Sequence, residues 1–238
     1  MYLREFTQEG IVDTAIIFHD TLNPRLWKNN QLKSQIRYQL LKIAKHFINF
    51  IDVPKINLVD ITISGSNAAY TYTPQSDLDL HLIVNIPNDQ VQNLKSLFDA
   101  KKNQYNFKYN LEIKGINVEV YVQDSTQAHH SAGIYSVLDA RWINEPKAER
   151  ASIRDSDVED KVNNYTGKIK LALKSNNVEL VKAVSQEISK IRKAGLEKAG
   201  EFSVENVAFK VLRNQGYIGK LRQHIDHLET QALSLHSA

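Results

Sequence analysis

The chain has 238 residues, of which 42% are hydrophobic and 24% charged, and it contains no cysteine. This composition is typical of a folded protein with one large or two small domains, and it excludes disulfides, thiolate zinc sites and a cysteine nucleophile. The net charge is +3, no apolar run is long enough to span a membrane, and the first residues lack the pattern of a secretory signal. We therefore expect a cytoplasmic protein.

The first part of the chain mixes helical and strand patterns. Apolar residues at three- and four-residue spacing predict a helix over 31–52, and a second helix is predicted at about 88–102. Strands are predicted at 56–64, 78–84, 106–113 and 118–122, with the last two paired through a turn at Lys114-Gly115. From residue 156 onward the pattern is wholly helical. The sequence therefore predicts an α+β domain over 1–150 and a helical domain over 151–238.

Capping residues predict where the helices of the second domain begin and end. Ser156 with Glu159 forms a capping-box pattern, and Asn176 and Ser203 are expected to be the N-caps of two further helices. Gly200 lies where a helix is expected to end. Three helices are predicted from these signals.

Gly65-Ser66 follows directly on the strand predicted at 56–64. A glycine at a strand end lets a ligand approach the backbone closely, and the short helix expected next would offer free N–H groups to an anion. Gly65 and Ser66 are therefore candidates to bind a phosphate. A Gly-Ser pair also occurs in ordinary turns, so the pair is informative only together with other residues.

Three acids interrupt otherwise apolar strands. Asp77 and Asp79 are two residues apart and are expected on one strand face, with leucines on the other, and Glu119 stands in the same way among the valines of 118–122. Neighbouring carboxylates raise one another's pKa unless a cation lies between them, and oxygen ligands suit Mg²⁺ or Mn²⁺. Three acids on neighbouring strands predict a site for two cations about 4 Å apart, with Glu119 also able to accept a proton. The alternative is a surface hairpin whose acids are coincidental.

The order of these elements resembles the signature of the DNA polymerase β-like nucleotidyltransferase superfamily: Gly65-Ser66, Asp77 eleven residues later, Asp79, and a later strand acid. The surrounding segments and residues 192–218 resemble in particular the predicted nucleotidyltransferases of tailed bacteriophages. The resemblance implies a nucleotidyltransferase-type mixed sheet flanked by helices and followed by a helical C-terminal bundle. It also implies that Gly65 and Ser66 hold the phosphates of an NTP and that Asp77, Asp79 and Glu119 bind the metal. Many members have Asp in place of Glu119, whereas Glu acts as a base in antibiotic-modifying relatives.

Other polar residues are weaker candidates for contacts with the nucleotide. His81 extends the face of Asp77 and Asp79 by one step, and it either contacts a phosphate or fills space at the strand end. Arg141, Lys210 and Arg213 are candidates to reach a nucleotide phosphate.

Residues 182–222 carry nine basic and four acidic residues. This excess is typical either of a surface that binds phosphate or nucleic acid or of ordinary solvated helices.

Three functional hypotheses follow. The leading one is a metal-dependent nucleotidyltransferase that transfers a nucleoside monophosphate from an NTP to an unidentified acceptor hydroxyl. RNA or another nucleic acid, a protein and a small molecule are the candidates for this acceptor. The second is a nucleotide-binding or inhibitory protein on the same fold, with little or no turnover. The third makes the basic residues of 182–222 the main functional surface, with RNA or DNA as the partner.

Overall fold

The computed structural model describes residues 10–53, 56–87, 91–129, 131–148 and 152–234. The chain divides into two compact units. The first, called here the sheet unit, is Ile17–Arg150, and the second, the helical unit, combines Met1–Ile16 with Ala151–Ala238. The chain thus changes unit next to the boundary predicted at 150, while the described residues 10–16 fold with the helices. Val12 shows this association, because its N–H donates to Asp155 Oδ1 at 2.9 Å.

Strands occupy the middle of the sheet unit. A two-stranded ribbon comes first, formed by β1 (Trp27–Lys28) and β2 (Gln31–Leu32). Within the described residues, a six-stranded sheet follows with the order β5-β6-β4-β3-β7-β8. Its strands are β3 (Leu58–Ser64), β4 (Leu78–Val84), β5 (Glu112–Ile113), β6 (Ile116–Asp124), β7 (Ile134–Ser136) and β8 (Arg141–Asn144). β4 and β6 run parallel and the other pairs run antiparallel, so the sheet is mixed.

Two helices cover one face of this sheet. They are α1 (Ser34–Ile51) and α2 (Val91–Lys108). Their apolar side chains form a single core with the even-numbered residues of β4 and β6. The central members of this core are Leu40, Phe47, Leu78, Leu80, Leu82, Phe98, Tyr105, Val118 and Val120. The prediction of an α+β fold with a mixed sheet flanked by helices is confirmed.

The strand predicted over 106–113 is wrong for most of its length. α2 continues to Lys108, and only Glu112–Ile113 forms a strand, which pairs with β6 through the predicted turn at Lys114-Gly115. Burial explains the longer helix, because Phe98 and Tyr105 are two turns apart and both are buried. The side chain of Asn106 imitates a strand partner, since it bonds to both the N–H and the C=O of Val120 at 3.1 Å. The first three residues of the helix predicted from 88 lie outside the described residues.

Helices alone form the C-terminal region. They are α3 (Asp155–Ala172), α4 (Val178–Ala199), α5 (Val204–Asn214) and α6 (Tyr217–Leu233). Ser203 caps α5 as predicted, and Gly200 ends α4 with φ +70°. Asn177 rather than Asn176 caps α4. Ser156 lies inside α3, because this helix begins at Asp155 and its N-cap position is Arg154. Ion pairs join the helices, as between Lys161 and Glu205 at 2.6 Å.

None of the helices in the described part of the chain is long and apolar enough to cross a membrane.

Candidate functional site

The three predicted acids lie around the first half of β4 and β6. Asp79 and Glu119 are direct partners in the parallel register of β4 and β6, and Ser64 of β3 is the partner of Asp79 on its other side. Since neighbouring strands are about 4.8 Å apart, Ser64, Asp79 and Glu119 form one row across three strands. Asp77 lies one residue before β4 and two residues before Asp79. The row belongs to the face of the sheet opposite to the buried leucines of β4.

Gly65 is required by this arrangement for two reasons. Its φ is +79°, a backbone conformation that residues other than glycine rarely adopt. In addition, a Cβ at this position would overlap Oδ2 of Asp79. The Asp79 carboxylate therefore lies directly against the backbone of the turn that follows β3. The structure brings the predicted Gly65-Ser66 element and the predicted acids together.

Hydrogen bonds tie this turn to the residues that precede Asp77. Ser66 Oγ donates to Ser76 Oγ at 2.7 Å, and the amide of Asn67 donates to the backbone oxygens of Ser76 and Asp77 at 3.0 and 2.9 Å. Asn67 is itself buried, and its Oδ1 accepts from Asn23 at 2.8 Å. The short helix predicted after Ser66 is a 3₁₀ turn of three residues, Ser66–Ala68. The Ser66 hydroxyl proton is already donated to Ser76, so the N–H groups of the turn, rather than the dipole of a helix, are what this element offers to an anion.

Tyr121 is a site residue that the sequence reasoning missed. It lies two residues after Glu119 on the same strand face, and its hydroxyl donates to Glu119 Oε2. Burial raises the pKa of Tyr121 strongly, and the negative charges of Asp79, Glu119 and Asp77 raise it further. The hydroxyl therefore stays protonated at neutral pH and remains a donor to Glu119. Lys102 of α2 lies with its Nζ 5.2 Å from the centre of the Tyr121 ring.

His81 lies one step beyond Asp79 on the same face. Its Nε2 lies 3.2 Å from Ser64 Oγ, and its ring stacks on Tyr121 with centroids 5.0 Å apart. Burial lowers the pKa of His81 to about 4, and the nearby His129 lowers it as well. The imidazole is therefore neutral at pH 7, so it can form hydrogen bonds but carries no positive charge toward a phosphate. A nucleotide contact by His81 stays a prediction.

The other three predicted residues belong to other elements of the chain. Arg141, on β8, stands in the same cross-strand row as His81 but three strands away, a distance of about 14 Å at the usual strand spacing. Its exposed guanidinium pairs with Asp139 at 3.0 Å. Lys210 and Arg213 belong to α5 in the helical unit. The sheet unit thus brings together, of the predicted set, Gly65, Ser66, Asp77, Asp79, His81 and Glu119.

A preformed metal site is not seen in the described ranges, because no group of three or more His, Asp or Glu side chains there is arranged to hold an ion. The donor set nevertheless suits a cation whose coordination a substrate completes. Asp79 and Glu119 are neighbours, and Mg²⁺ is commonly held by one or two carboxylates together with substrate phosphates and water. The residues present therefore fit Mg²⁺ bound with a nucleotide, and they do not form a cage made by the protein alone.

Comparisons with known proteins return no family model and no curated protein that matches the chain. Among solved structures, the c-di-GMP synthase CdnE of Capnocytophaga granulosa is 11% identical, with 84% of each chain covered and a TM-score of 0.23. The CdnE cyclic dinucleotide synthase of Elizabethkingia meningoseptica, solved with GTP and Apcpp, is 14% identical, covering 84% of this chain and 83% of that one, with a TM-score of 0.26. The spectinomycin adenyltransferase of Enterococcus faecialis, solved with ATP and spectinomycin, is 12% identical over 81% of this chain and 99% of that one, with a TM-score of 0.22. Similarities this weak do not indicate an activity for the chain.

Proposed function

We propose that the chain is a metal-dependent nucleotidyltransferase, which moves a nucleoside monophosphate from an NTP to an acceptor hydroxyl and releases pyrophosphate. The observation that carries the proposal is the pairing of Asp79 with Glu119 across parallel strands, with Asp77 two residues before Asp79 and the Gly65-Ser66 turn against the Asp79 carboxylate. Like charges placed this close cost stability unless they serve a cation or a substrate. The resemblance of the same residues to the nucleotidyltransferase signature, including that of the phage proteins, supplies the class of reaction.

Each group in the site has a role in this reaction. Asp77, Asp79 and Glu119 would hold Mg²⁺ or Mn²⁺, which when bound neutralises phosphate charge and makes the acceptor hydroxyl more acidic. The acceptor oxygen forms a bond to the α-phosphorus while the bond from that phosphorus to the bridging oxygen breaks, so the electron pair and the leaving group depart as pyrophosphate. The hydroxyl proton goes to Glu119. The Gly65-Ser66 turn would bind the phosphates of the NTP.

Tyr121 positions Glu119 for this step. A carboxylate has two oxygens, and the Tyr121 hydroxyl donates to Oε2, which leaves Oε1 to accept the proton. The raised pKa of Tyr121 keeps the hydroxyl a donor across the neutral range. Glu119 is therefore held in one orientation beside Asp79.

A second candidate function is a nucleotide-binding protein on the same fold with little turnover. Two observations favour it. In the described residues no three acids or histidines are arranged to hold an ion, and one oxygen of Glu119 is already bound by Tyr121. In this case the site would bind an NTP without transferring it.

One experiment separates the two candidates. Purified protein is incubated with Mg²⁺ or Mn²⁺, α-labelled NTPs and a bacterial lysate, and both labelled products and pyrophosphate are measured. For the enzyme, we expect labelling of an acceptor and a loss of at least about a hundredfold in Asp77→Ala/Asp79→Ala, because the charged groups that act on the phosphates are removed. Asp20→Ala/Asp99→Ala removes two exposed acids of the same unit and should label normally.

Unchanged labelling by the Asp77→Ala/Asp79→Ala variant would contradict the assignment of the acids. For the binding protein, NTPs raise the melting temperature of the wild type while no pyrophosphate is released. Turnover that depends on Asp77 and Asp79 would exclude this second candidate.

A further inference from the structure

Helices α1 and α2 are strongly basic. Residues 34–51 and 91–108 contain seven basic residues and one acidic residue, an excess of six, whereas the longer segment 182–222 has an excess of five. The basic residues are Arg37, Lys42, Lys45, Lys95, Lys101, Lys102 and Lys108. The acid is Asp99, and it lies 4.0 Å from Lys102. We call the exposed side of these two helices the α1–α2 face.

Aromatic rings join the two helices along their seam. Phe50 of α1 lies 5.1 Å from Tyr105 of α2 and 6.2 Å from Tyr109, the residue that follows α2, and His46 lies 5.1 Å from Tyr109, all between ring centroids. Lys101 Nζ is 5.5 Å from the centre of the Phe50 ring, and Lys108 Nζ is 5.0 Å from that of Tyr109. The seam therefore presents ammonium groups held above aromatic rings.

Four lysines of this face lie away from carboxylates in the described part of the chain. Across the described residues, no carboxylate lies within 4.0 Å of Lys42, Lys45, Lys101 or Lys108. In the helical unit, Lys168 is paired across helices with Glu187 at 2.6 Å and Lys182 with Glu229 at 2.7 Å. The α1–α2 face therefore keeps a net positive potential.

Exposed aromatic and amide side chains stand among these lysines. Phe107 is 95% exposed and Tyr38 is 61% exposed. The amide residues exposed on the two helices are Gln35, Gln39, Asn49, Asn93, Asn103 and Gln104. A helix that lies on a membrane needs a continuous apolar side, which amides at these positions interrupt. Lysines, amides and exposed flat rings are the combination that binds phosphates and stacks on bases.

We propose that the α1–α2 face binds single-stranded nucleic acid. The lysines contact the phosphates, and Phe107 and Tyr38 stack on bases, which are available for stacking in an unpaired strand and hidden in a duplex. Asp79 and Glu119 lie on the side of the sheet opposite to the helices. Lys102 of the α1–α2 face approaches that side, since its Nζ lies 5.2 Å from the centre of the Tyr121 ring. The test therefore leaves Lys102 unchanged, so that a loss of strand binding and a loss of transfer can be distinguished.

The test measures the affinity of the full chain for a fluorescent 20-nucleotide single strand by anisotropy at several salt concentrations. Neutralising Lys42, Lys45, Lys101 and Lys108 to Gln should weaken binding at least tenfold at low salt. It should also lower the slope of log affinity against log salt by up to about 3, since each phosphate contact on a single strand contributes about 0.7. The matched control neutralises Lys170, Lys174, Lys190 and Lys220, four lysines of the helical unit, and should bind within twofold of the wild type.

A second variant separates nucleic acid from a lipid surface. Phe107→Leu keeps an exposed apolar side chain but removes the flat ring, so it should weaken binding to the strand several-fold and leave binding to anionic vesicles unchanged. Phe107 is almost fully exposed, so the variant is expected to fold normally. An affinity that does not depend on salt, equal losses in the two quadruple variants, or binding to phosphatidylserine vesicles in preference to the strand would each overturn the proposal.

Discussion

The two faces of β4 and β6 differ in chemistry although they alternate residue by residue along the same strands. On one face, Leu78, Leu80 and Leu82 are at most 1% exposed and pack under α1 and α2. On the other face, Asp79 and His81 remain partly exposed. Because side chains alternate along a strand, residues adjacent in sequence serve stability and chemistry separately. Adjacent substitutions are therefore expected to have unrelated effects.

The same sheet also separates charge. The face that α1 and α2 leave uncovered, called here the open face, carries Asp79 and Glu119, and the helices on the other face carry the lysines of the α1–α2 face. The first 124 residues are neutral in total, with 13 basic and 13 acidic residues, so this separation cannot be seen in the net charge. A balanced composition can thus hide two surfaces of opposite sign.

Leu80→Ala should have the largest effect on stability. The side chain is fully buried in the core, and truncating such a leucine costs about 2–5 kcal/mol in the free energy of unfolding. Asp79→Asn, one residue away on the open face, should leave stability unchanged or raise it, because it removes one of three neighbouring like charges. Tryptophan fluorescence during urea unfolding measures both variants. The chain has two tryptophans, Trp27 and Trp142, and both belong to the sheet unit.

Equal destabilisation by Leu80→Ala and Asp79→Asn would break the comparison between the two faces, since it would mean that Asp79 is a structural residue. The transfer assay gives the complementary result. Asp79→Asn should lose activity at a temperature where it is fully folded, whereas Leu80→Ala should keep activity wherever it is folded.

Gly65→Ala should have the next largest effect. It tests whether the backbone of the turn after β3 sets the position of Asp79 on the open face. Its φ of +79° makes alanine strained by about 1–2 kcal/mol, and the added Cβ would displace the Asp79 carboxylate. Gly115→Ala is the matched control, because φ is +70° there but the nearest atom to a Cβ is 4.0 Å away. Both variants should lose similar stability by urea unfolding, and Gly65→Ala alone should lose transfer or NTP binding. Equal function in the two variants would show that the position of Asp79 does not matter.

The sequence predicted those site residues whose positions follow from the alternation of side chains between the two faces of a strand. Asp77, Asp79 and Glu119 were predicted from their spacing within apolar strands, and the parallel register of β4 and β6 then places Asp79 and Glu119 side by side. Tyr121 was missed because a tyrosine in a strand is usually a packing residue. Its position two residues after Glu119 was the available signal. Asn67 was missed because its role is to donate a hydrogen bond to the backbone oxygen of Asp77, and the spacing of residues along the sequence does not reveal this contact.

The α1–α2 face could not be predicted from any single stretch of the chain. The two helices are separated by 39 residues in sequence, 52–90, and they become one surface only when both pack on the same side of the sheet. A scan for charge along the chain selects 182–222 instead, where Lys182 is paired with Glu229 of a neighbouring helix. The end of α2 was also predicted wrongly, because the burial of Tyr105 in the core depends on the tertiary structure and overrides the strand propensity of its neighbours.

The smallest expected effect concerns Asp124, an acid at the end of β6 in the row of residues that faces the core. Its Oδ1 accepts from the N–H and the hydroxyl of Thr126 at 2.8 and 2.7 Å, and these bonds lower the pKa of Asp124 below its ordinary value. A lowered pKa in the folded state means that this carboxylate stabilises the fold above the unfolded value of about 3.9, and that the contribution is lost as the pH falls through the folded value. Asp124→Asn keeps an acceptor but loses the charge, so the wild type should exceed it in the free energy of unfolding by about 1 kcal/mol at pH 6, with the difference closing below about pH 4. Urea unfolding monitored by tryptophan fluorescence measures the difference, and a difference that stays constant between pH 6 and pH 3 would contradict this assignment. If the difference in the free energy of unfolding disappears at low pH as expected, Asp124 on the covered face is held by local donors. It then has a structural role that the acids of the open face do not share.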